Sequence, residues 1–131
     1  MADEQTTTRY RDGAAMRRKV LGDAHVDRSE AGASAFDAPF VALVTEAAWG
    51  QVWASDALPL RERSMITLAI LAGLGNLEEF ELHLRATLRT GASARDVAEV
   101  LQHVAIYAGV PRANSAVRIA KRVLAELGVE V

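Results

Sequence analysis

The chain has 131 residues, half of them hydrophobic, and its 15 basic and 17 acidic residues give a formal net charge of −2. This composition excludes a disordered chain, and the scattered charges exclude a nucleic-acid-binding track. There is no cysteine, so disulfides, zinc–thiolate sites and thiol nucleophiles are excluded. Because no segment has the character of a secretory signal or the length of a membrane span, we expect one cytoplasmic domain over residues 1–131, with residues 1–8 as a loose tail.

Apolar residues recur at helical spacing along most of the chain and predict about six helices and no strands, an all-α fold. The first helix is expected over Thr8–Leu21, ended by Gly22 and followed by an ordered loop over residues 22–36. The second begins near Asp37, with Pro39 in its first turn, and ends within residues 49–53. The remaining helices are expected over Leu60–Leu74, over Leu77–Thr90, from the cap at Ser93 to the break at Gly109, and over residues 112–127.

The second half of helix Leu60–Leu74 is apolar on nearly every side, so we expect this helix to be buried all round. A chain of this size covers such a helix alone with difficulty, which favours a homo-oligomer assembled through helix faces. The next two helices each show a narrower stripe that predicts their core positions. These positions are Leu77, Phe80, Leu84 and Leu88 on the first, and Val97, Val100, Leu101, Val104 and Ala108 on the second, which Ser93 and Asp96 cap.

Glu79 and His83 form the most informative polar pattern, because residues four apart share one helix face. We expect that face to lie away from the apolar stripe. A carboxylate beside an imidazole raises the imidazole pKa and selects one tautomer, which suits a proton donor working near neutral pH. A solvated pair on the helix surface is the alternative. Arg85 follows, and Glu81, four residues before it, could pair with it at the surface.

Three further pairs of polar residues could line a site, namely His103 with Tyr107, Arg112 with Asn114, and His25 with Arg28. The first pair could equally be a histidine packed on an aromatic ring at the edge of the core. The second, at the start of the last helix, forms either an anion-binding corner or ordinary capping. The third, in the expected loop, is either solvated or part of an active-site lid. A metal site is disfavoured, because no second carboxylate–histidine pair accompanies Glu79 and His83.

Four strings of the sequence together resemble the 4-carboxymuconolactone decarboxylase family: RRKVLGDAHVDRS, EAAWGQVWASDALPLRERSMITLAIL, NLEEFELHLRATLRTG and VLQHVAIYAGVPRANSA. The likeness covers about residues 9–129, and LGDAHVDR is typical of the decarboxylases rather than of their wider superfamily. Alkylhydroperoxidase-like members of that superfamily carry a CxxC pair followed by a histidine. The matching positions here are Asn76, Glu79 and His83, so dithiol peroxidase chemistry is excluded.

The resemblance implies an all-helical homo-oligomer, often a trimer or hexamer. It implies conversion of 4-carboxymuconolactone, a small dicarboxylate lactone, to 3-oxoadipate enol-lactone and CO2 without cofactor. From the residues themselves we expect no metal and no nucleic-acid or membrane partner. We expect His83 to donate the proton or stabilise the oxyanion, oriented by Glu79. The expected substrate-binding residues are Arg85 and Arg112, then Arg28, His25, His103, Tyr107 and Asn114. The alternative is a non-decarboxylating member of the same superfamily that binds a small anionic ligand.

Overall fold

The computed structural model describes residues 7–130, within which every regular element is a helix. The all-α class is therefore confirmed, with seven α-helices in this range where about six were predicted. They are α1 (Thr8–Leu21), α2 (Asp23–Ala31), α3 (Ala38–Val44), α4 (Leu60–Leu74), α5 (Leu77–Thr90), α6 (Ala94–Tyr107) and α7 (Val110–Glu126). A π-helical segment, Thr45–Trp53, continues α3. Of the expected tail over residues 1–8, residues 1–6 lie outside the described part, and Thr8 already begins α1.

The chain forms two compact units, divided between Leu58 and Pro59. In the first unit, α1 packs on the π-helical segment through two glycines, Gly13 and Gly50. A Cβ atom on Gly13 would lie 2.7 Å from the Gly50 amide nitrogen and would overlap the Thr45 carbonyl oxygen. The two helical backbones therefore approach so closely that only glycine fits at their crossing.

The segment that we expected to be a loop, residues 22–36, contains α2, so that prediction is wrong over Asp23–Ala31. Gly22 ends α1 with a φ of +88°, and α2 begins at the next residue. Three carboxylates of α2 then meet one guanidinium of α1: Arg18 bonds Asp23 at 3.0 Å, Asp27 at 2.9 Å and Glu30 at 3.1 Å. The helix was missed because its regular spacing is in acidic residues and not in apolar ones.

The second unit has its core where α4, α5, α6 and α7 meet. α4 contributes Leu68 and Ala72, both fully buried. The stripes predicted for α5 and α6 are confirmed at Phe80, Leu84, Val97, Val100, Leu101 and Val104, which are all buried. They are wrong for Leu88 and Ala108, which are exposed; in the last turn of α5 the buried residues are Thr87 and Thr90 instead.

α4 is not buried all round within this chain, contrary to the prediction. Ile66, Ile70 and Leu74, spaced four residues apart, leave 48%, 54% and 64% of their surface exposed. The other three helices of the unit cover the opposite side of α4, where Ser64, Leu68 and Ala72 lie. No helix within residues 7–130 combines the length and the apolar character needed to cross a bilayer.

The N-terminal ends of α4 and α6 are joined by a pair of parallel hydrogen bonds. Arg61 donates from Nε to Asp96 Oδ2 at 2.8 Å and from Nη2 to Oδ1 at 2.6 Å. The predicted capping box is confirmed, since Asp96 also accepts from the Ser93 amide at 2.9 Å and the Ser93 hydroxyl accepts from the Asp96 amide at 3.0 Å. The Arg61 hydrogen bonds, followed by those from Ser93, hold the Asp96 pKa far below its ordinary value of 3.8.

Replacing Gly13 with Ala should destabilise the first unit by about 1–3 kcal/mol, because the methyl group forces the helix crossing apart. Urea unfolding followed by the fluorescence of Trp49 and Trp53, which are buried in this unit, measures the change. Gly32→Ala is the matched control, because Gly32 has a φ of −89° and a Cβ there would lie no closer than 3.7 Å to its nearest neighbour. Equal stability of the two variants would show that the crossing tolerates a side chain.

Replacing Asp96 with Asn should lower the thermal midpoint at pH 7, because the paired carboxylate is lost. A carboxyl group whose folded-state pKa is depressed stabilises the fold above its ordinary pKa and loses that effect as the pH falls. The gap between the midpoints of the wild type and the variant should therefore be constant above about pH 3.8 and narrow progressively as the pH falls below it. Asp56→Asn, at an exposed loop position, serves as the control. A gap between wild type and Asp96→Asn that persists undiminished at pH 2 contradicts the assignment.

Candidate active site

His83 lies on the buried side of α5. Only 9% of its surface is exposed, and Phe80, Leu84 and Thr87 are buried with it on the same helix. We expected the histidine to face away from the apolar stripe, and this is wrong, since it borders that stripe. Glu79, one turn earlier, is exposed. A buried imidazole is shielded from water, which strengthens any hydrogen bond that it makes to a developing charge.

Arg85, two residues further along α5, belongs to a four-residue ion network that joins α5 to α7. Its Nη2 atom bonds Glu81 at 3.0 Å and Glu126 at 2.7 Å, and Arg122 bonds the same two carboxylates. Hydrogen bonds from Arg122 and Arg85 lower the pKa of Glu81, and those from Arg85 and Arg122 lower that of Glu126. The structural pairing with Glu81 is thus present, and a substrate role for Arg85 stays a prediction.

Arg112 lies in the first turn of α7, beside the end of α4. Its Nη1 atom donates to the Leu74 carbonyl oxygen at 3.4 Å, and the residue is exposed. A cavity of about 300 Å³ adjoins it, lined by Gly75, Leu77, Pro111, Arg112 and Ser115. Leu77 begins α5 six residues before His83, which corresponds to roughly 9 Å along the helix axis. The cationic cavity therefore lies at the N-terminal end of the helix that carries the buried imidazole.

Asn114 does not share this cavity. It lines a wide and mostly apolar groove of about 680 Å³ between α6 and α7, together with residues such as Leu101, Val117 and Leu124. Arg112 and Asn114, predicted to form one anion-binding corner, are therefore directed to different cavities. Two residues along an α-helix correspond to a rotation of roughly 200°, which accounts for the separation.

His103 and Tyr107 stack on each other at the exposed surface of α6. Their ring centroids are 5.5 Å apart with 21° between the ring planes, and 83% of the tyrosine surface is exposed. The aromatic contact is thus present, although it lies at the surface and not at the edge of the core. Within residues 7–130, no three histidine or carboxylate side chains gather in a way that could hold a metal ion.

His25 and Arg28 lie on α2 in the first unit, so they belong to a helix and not to the tip of a loop. His25 is half-buried. Burial, and after it the positive charges of Arg17 and Arg28, lower the pKa of His25 below the ordinary value of 6.5. Both effects favour the neutral imidazole, which suits a hydrogen-bonding role better than that of a fixed cation.

Of the residues that line the Arg112 cavity, only Arg112 itself was predicted as a site residue. Nothing in the sequence around Gly75 shows that Arg112 folds back over it. The described residues thus define an all-α protein with a buried imidazole on one helix and an arginine beside a small cavity at that helix's start. His83 is not among the residues that line this cavity, and a cavity beside an arginine suits a small anionic molecule.

Comparison with known proteins agrees with this class. Residues 38–122 match the carboxymuconolactone decarboxylase family, and the chain belongs to that family. It is 38% identical to 4-carboxymuconolactone decarboxylase of Acinetobacter baylyi over 129 residues, 98% of this chain and 94% of the relative. It is 30% identical to nitrosuccinic acid decarboxylase of Metarhizium robertsii over 125 residues, 95% of this chain and 87% of the relative. The family and both relatives identify the chain as an enzyme of the carboxy-lyase class.

Proposed function

We propose that this enzyme converts 4-carboxymuconolactone to 3-oxoadipate enol-lactone and CO2, in the protocatechuate branch of the β-ketoadipate pathway. The observation that carries the proposal is the match, over nearly the full length of both chains, to the Acinetobacter baylyi enzyme of that name. The named substrate of the second relative, nitrosuccinic acid, is also a dicarboxylic acid. A site that holds one carboxylate while releasing the other as CO2 would serve both reactions.

The proposed reaction needs no external electron acceptor. The bond between the ring carbon and its carboxylate breaks and CO2 leaves. The electron pair passes through the ring double bond to the lactone carbonyl oxygen and gives a furan-like oxyanion. A proton delivered to the carbon next to the carbonyl then yields the enol-lactone. Because the lactone itself accepts the electrons, the protein's task is to bind, orient, stabilise the oxyanion and supply a proton.

His83 is the proposed donor, either of the proton or of a hydrogen bond to the oxyanion, with Glu79 as its orienting partner. Its burial supports this role, because a donor in a site that excludes water stabilises developing charge more strongly. Arg112 is the proposed anchor for the acetate side chain. Its cavity also presents Leu77 and Pro111, an apolar wall of the kind that favours release of the other carboxylate. Arg28, His25, His103, Tyr107, Asn114 and Arg85 remain further candidates for substrate contacts.

Replacing His83 with Ala or Gln should lower kcat by roughly 100-fold or more, since a positioned acid contributes about 10²–10⁴-fold. Spectrophotometry of lactone loss measures the rate. Thr87→Val is the matched control, because Thr87 is buried one turn further along the same side of α5. Its turnover should stay close to that of the wild type.

Three outcomes of that assay would contradict parts of the proposal. Near-normal turnover by His83→Gln removes the chemical role of the histidine. Equal losses in the His83 and Thr87 variants reduce it to a packing role. Turnover of nitrosuccinate but not of the lactone by the wild type overturns the substrate assignment while leaving the class of reaction intact.

The proposed assembly is a homo-oligomer, a trimer or hexamer, formed through the uncovered side of α4. Ile66, Ile70 and Leu74 are exposed on this side. Ala108, the residue that follows α6, lies close to α4, since a Cβ on Gly73 would be 3.4 Å from the Ala108 side chain. Ile106 and Tyr107, also exposed, extend the apolar surface at this end of α6. Several large apolar side chains exposed on neighbouring helix ends mark a protein interface more often than a solvated surface.

Light scattering at micromolar concentration should give a multiple of the 14.1 kDa chain mass. Ile70→Glu should shift that mass towards a single chain, because it places a charge in the centre of the uncovered side of α4. Arg89→Glu, an exposed charge change on α5, should leave the mass unaltered. A single-chain mass for the wild type would remove the proposed assembly.

A further inference from the structure

The end of α4 is closed by Gly75, which adopts the left-handed conformation with φ +76° and ψ +23°. The Asn76 amide donates to the Leu71 carbonyl at 2.9 Å, and the Gly75 amide donates to that of Ala72 at 3.1 Å. These bonds are usual where a glycine ends a helix, and asparagine is also tolerated at such positions. Capping alone therefore does not explain why this residue has no side chain.

The space that a side chain would need at Gly75 is filled by the Arg112 guanidinium. A Cβ atom there would overlap Nη1 of Arg112 and lie 3.0 Å from its Cζ. Arg112 Nη1 also donates to the carbonyl oxygen of Leu74, the residue before the glycine. The guanidinium is thus held against the exposed backbone at the end of α4 on one side.

The Nε and Nη2 atoms of the guanidinium remain available to bind a ligand. Within residues 7–130 no carboxylate forms an ion pair with Arg112, in contrast to Arg61 and Arg85. Once Nη1 is engaged by the Leu74 carbonyl, Nε and Nη2 form the remaining edge, which matches a carboxylate through two parallel hydrogen bonds. The cavity next to Arg112 has room for such a group, with the half-buried Ser115 on its wall.

We propose that Gly75 is a positioning residue for substrate binding, whose missing side chain lets Arg112 lie against the Leu74 carbonyl and present its Nε/Nη2 edge to a carboxylate. The inference rests on the proposed function in taking that carboxylate to be the acetate side chain of the lactone. The glycine does not touch the substrate. It determines where the guanidinium lies, and a guanidinium displaced from the end of α4 loses the geometry that two parallel hydrogen bonds require.

The test compares Gly75→Ala with Gly91→Ala. Gly91 ends α5 with a similar left-handed φ of +88°, and a Cβ there meets nothing within 4 Å. Both variants carry similar left-handed backbone strain, so both thermal midpoints should fall, and that of Gly75→Ala should fall somewhat further because it also loses the Arg112–Leu74 hydrogen bond. Only Gly75→Ala should raise KM for the lactone, by roughly 10- to 100-fold, with a smaller change in kcat, as expected for a lost ground-state contact to a carboxylate.

A double-mutant cycle separates positioning from general damage. In an Arg112→Ala background, Gly75→Ala should raise KM no further, because the group that it displaces is absent. An additive increase in that background overturns the proposal. So does an equal rise in KM for Gly91→Ala, or a wild-type KM for Gly75→Ala.

A readout independent of turnover keeps the proposal distinct from the function on which it rests. NMR of 15N-labelled arginine should show slowed rotation of the Arg112 Nη groups in the wild type and in Gly91→Ala, and faster rotation in Gly75→Ala. If the wild type fails to consume the lactone, the proposed function fails. The NMR comparison still tests whether Gly75 sets the position of the Arg112 guanidinium. Identical Arg112 signals in all three proteins overturn the positioning role of Gly75.

Discussion

Burial of a single side of α4 is the constraint on which the second unit of this protein depends. Leu68 and Ala72 are fully buried because α5, α6 and α7 all pack on the side of α4 that carries them. Both ends of this central helix make polar contacts with other helices. Its N-terminal turn holds Arg61 against Asp96, and its C-terminal end supplies the carbonyl of Leu74 to Arg112. The interface proposed on the opposite side follows from the same geometry, since three helices cannot surround a fourth.

Arginine accounts for 13 of the 15 basic residues. The hydrogen-bond partners of these arginines differ. Arg18 meets three carboxylates of α2, and Arg85 and Arg122 share two carboxylates between α5 and α7. These guanidinium groups join helices, a task for which the planar fork is better suited than an ammonium group. Arg112 differs in that a backbone carbonyl orients it. A neutral partner of this kind fixes the position of the guanidinium without neutralising its charge, so the charge remains available to a ligand.

Local pattern was sufficient wherever a helix has a clear stop or start. The bounds of α1, α4 and α5 agree with the prediction to the residue. Helix-breaking residues flank these helices, namely Gly22, Pro59, Gly75 and Gly91. The prediction failed for α2, where the spacing of Asp23, Asp27 and Glu30 is helical but no apolar stripe accompanies it. A search for regular spacing among charged residues, with Arg18 as the shared partner, would have found this helix.

The all-α class, most helix ends and the exclusion of thiol chemistry could be read from local pattern, because periodicity, capping and composition do not depend on how the helices pack. The same pattern indicated His83, although not its burial. Helix packing places His83 at the border of the core, pairs Arg85 with Glu126 and lays Arg112 over Gly75. The last two contacts join residues 41 and 37 positions apart along the chain, and such contacts depend on how helices pack and not on local spacing.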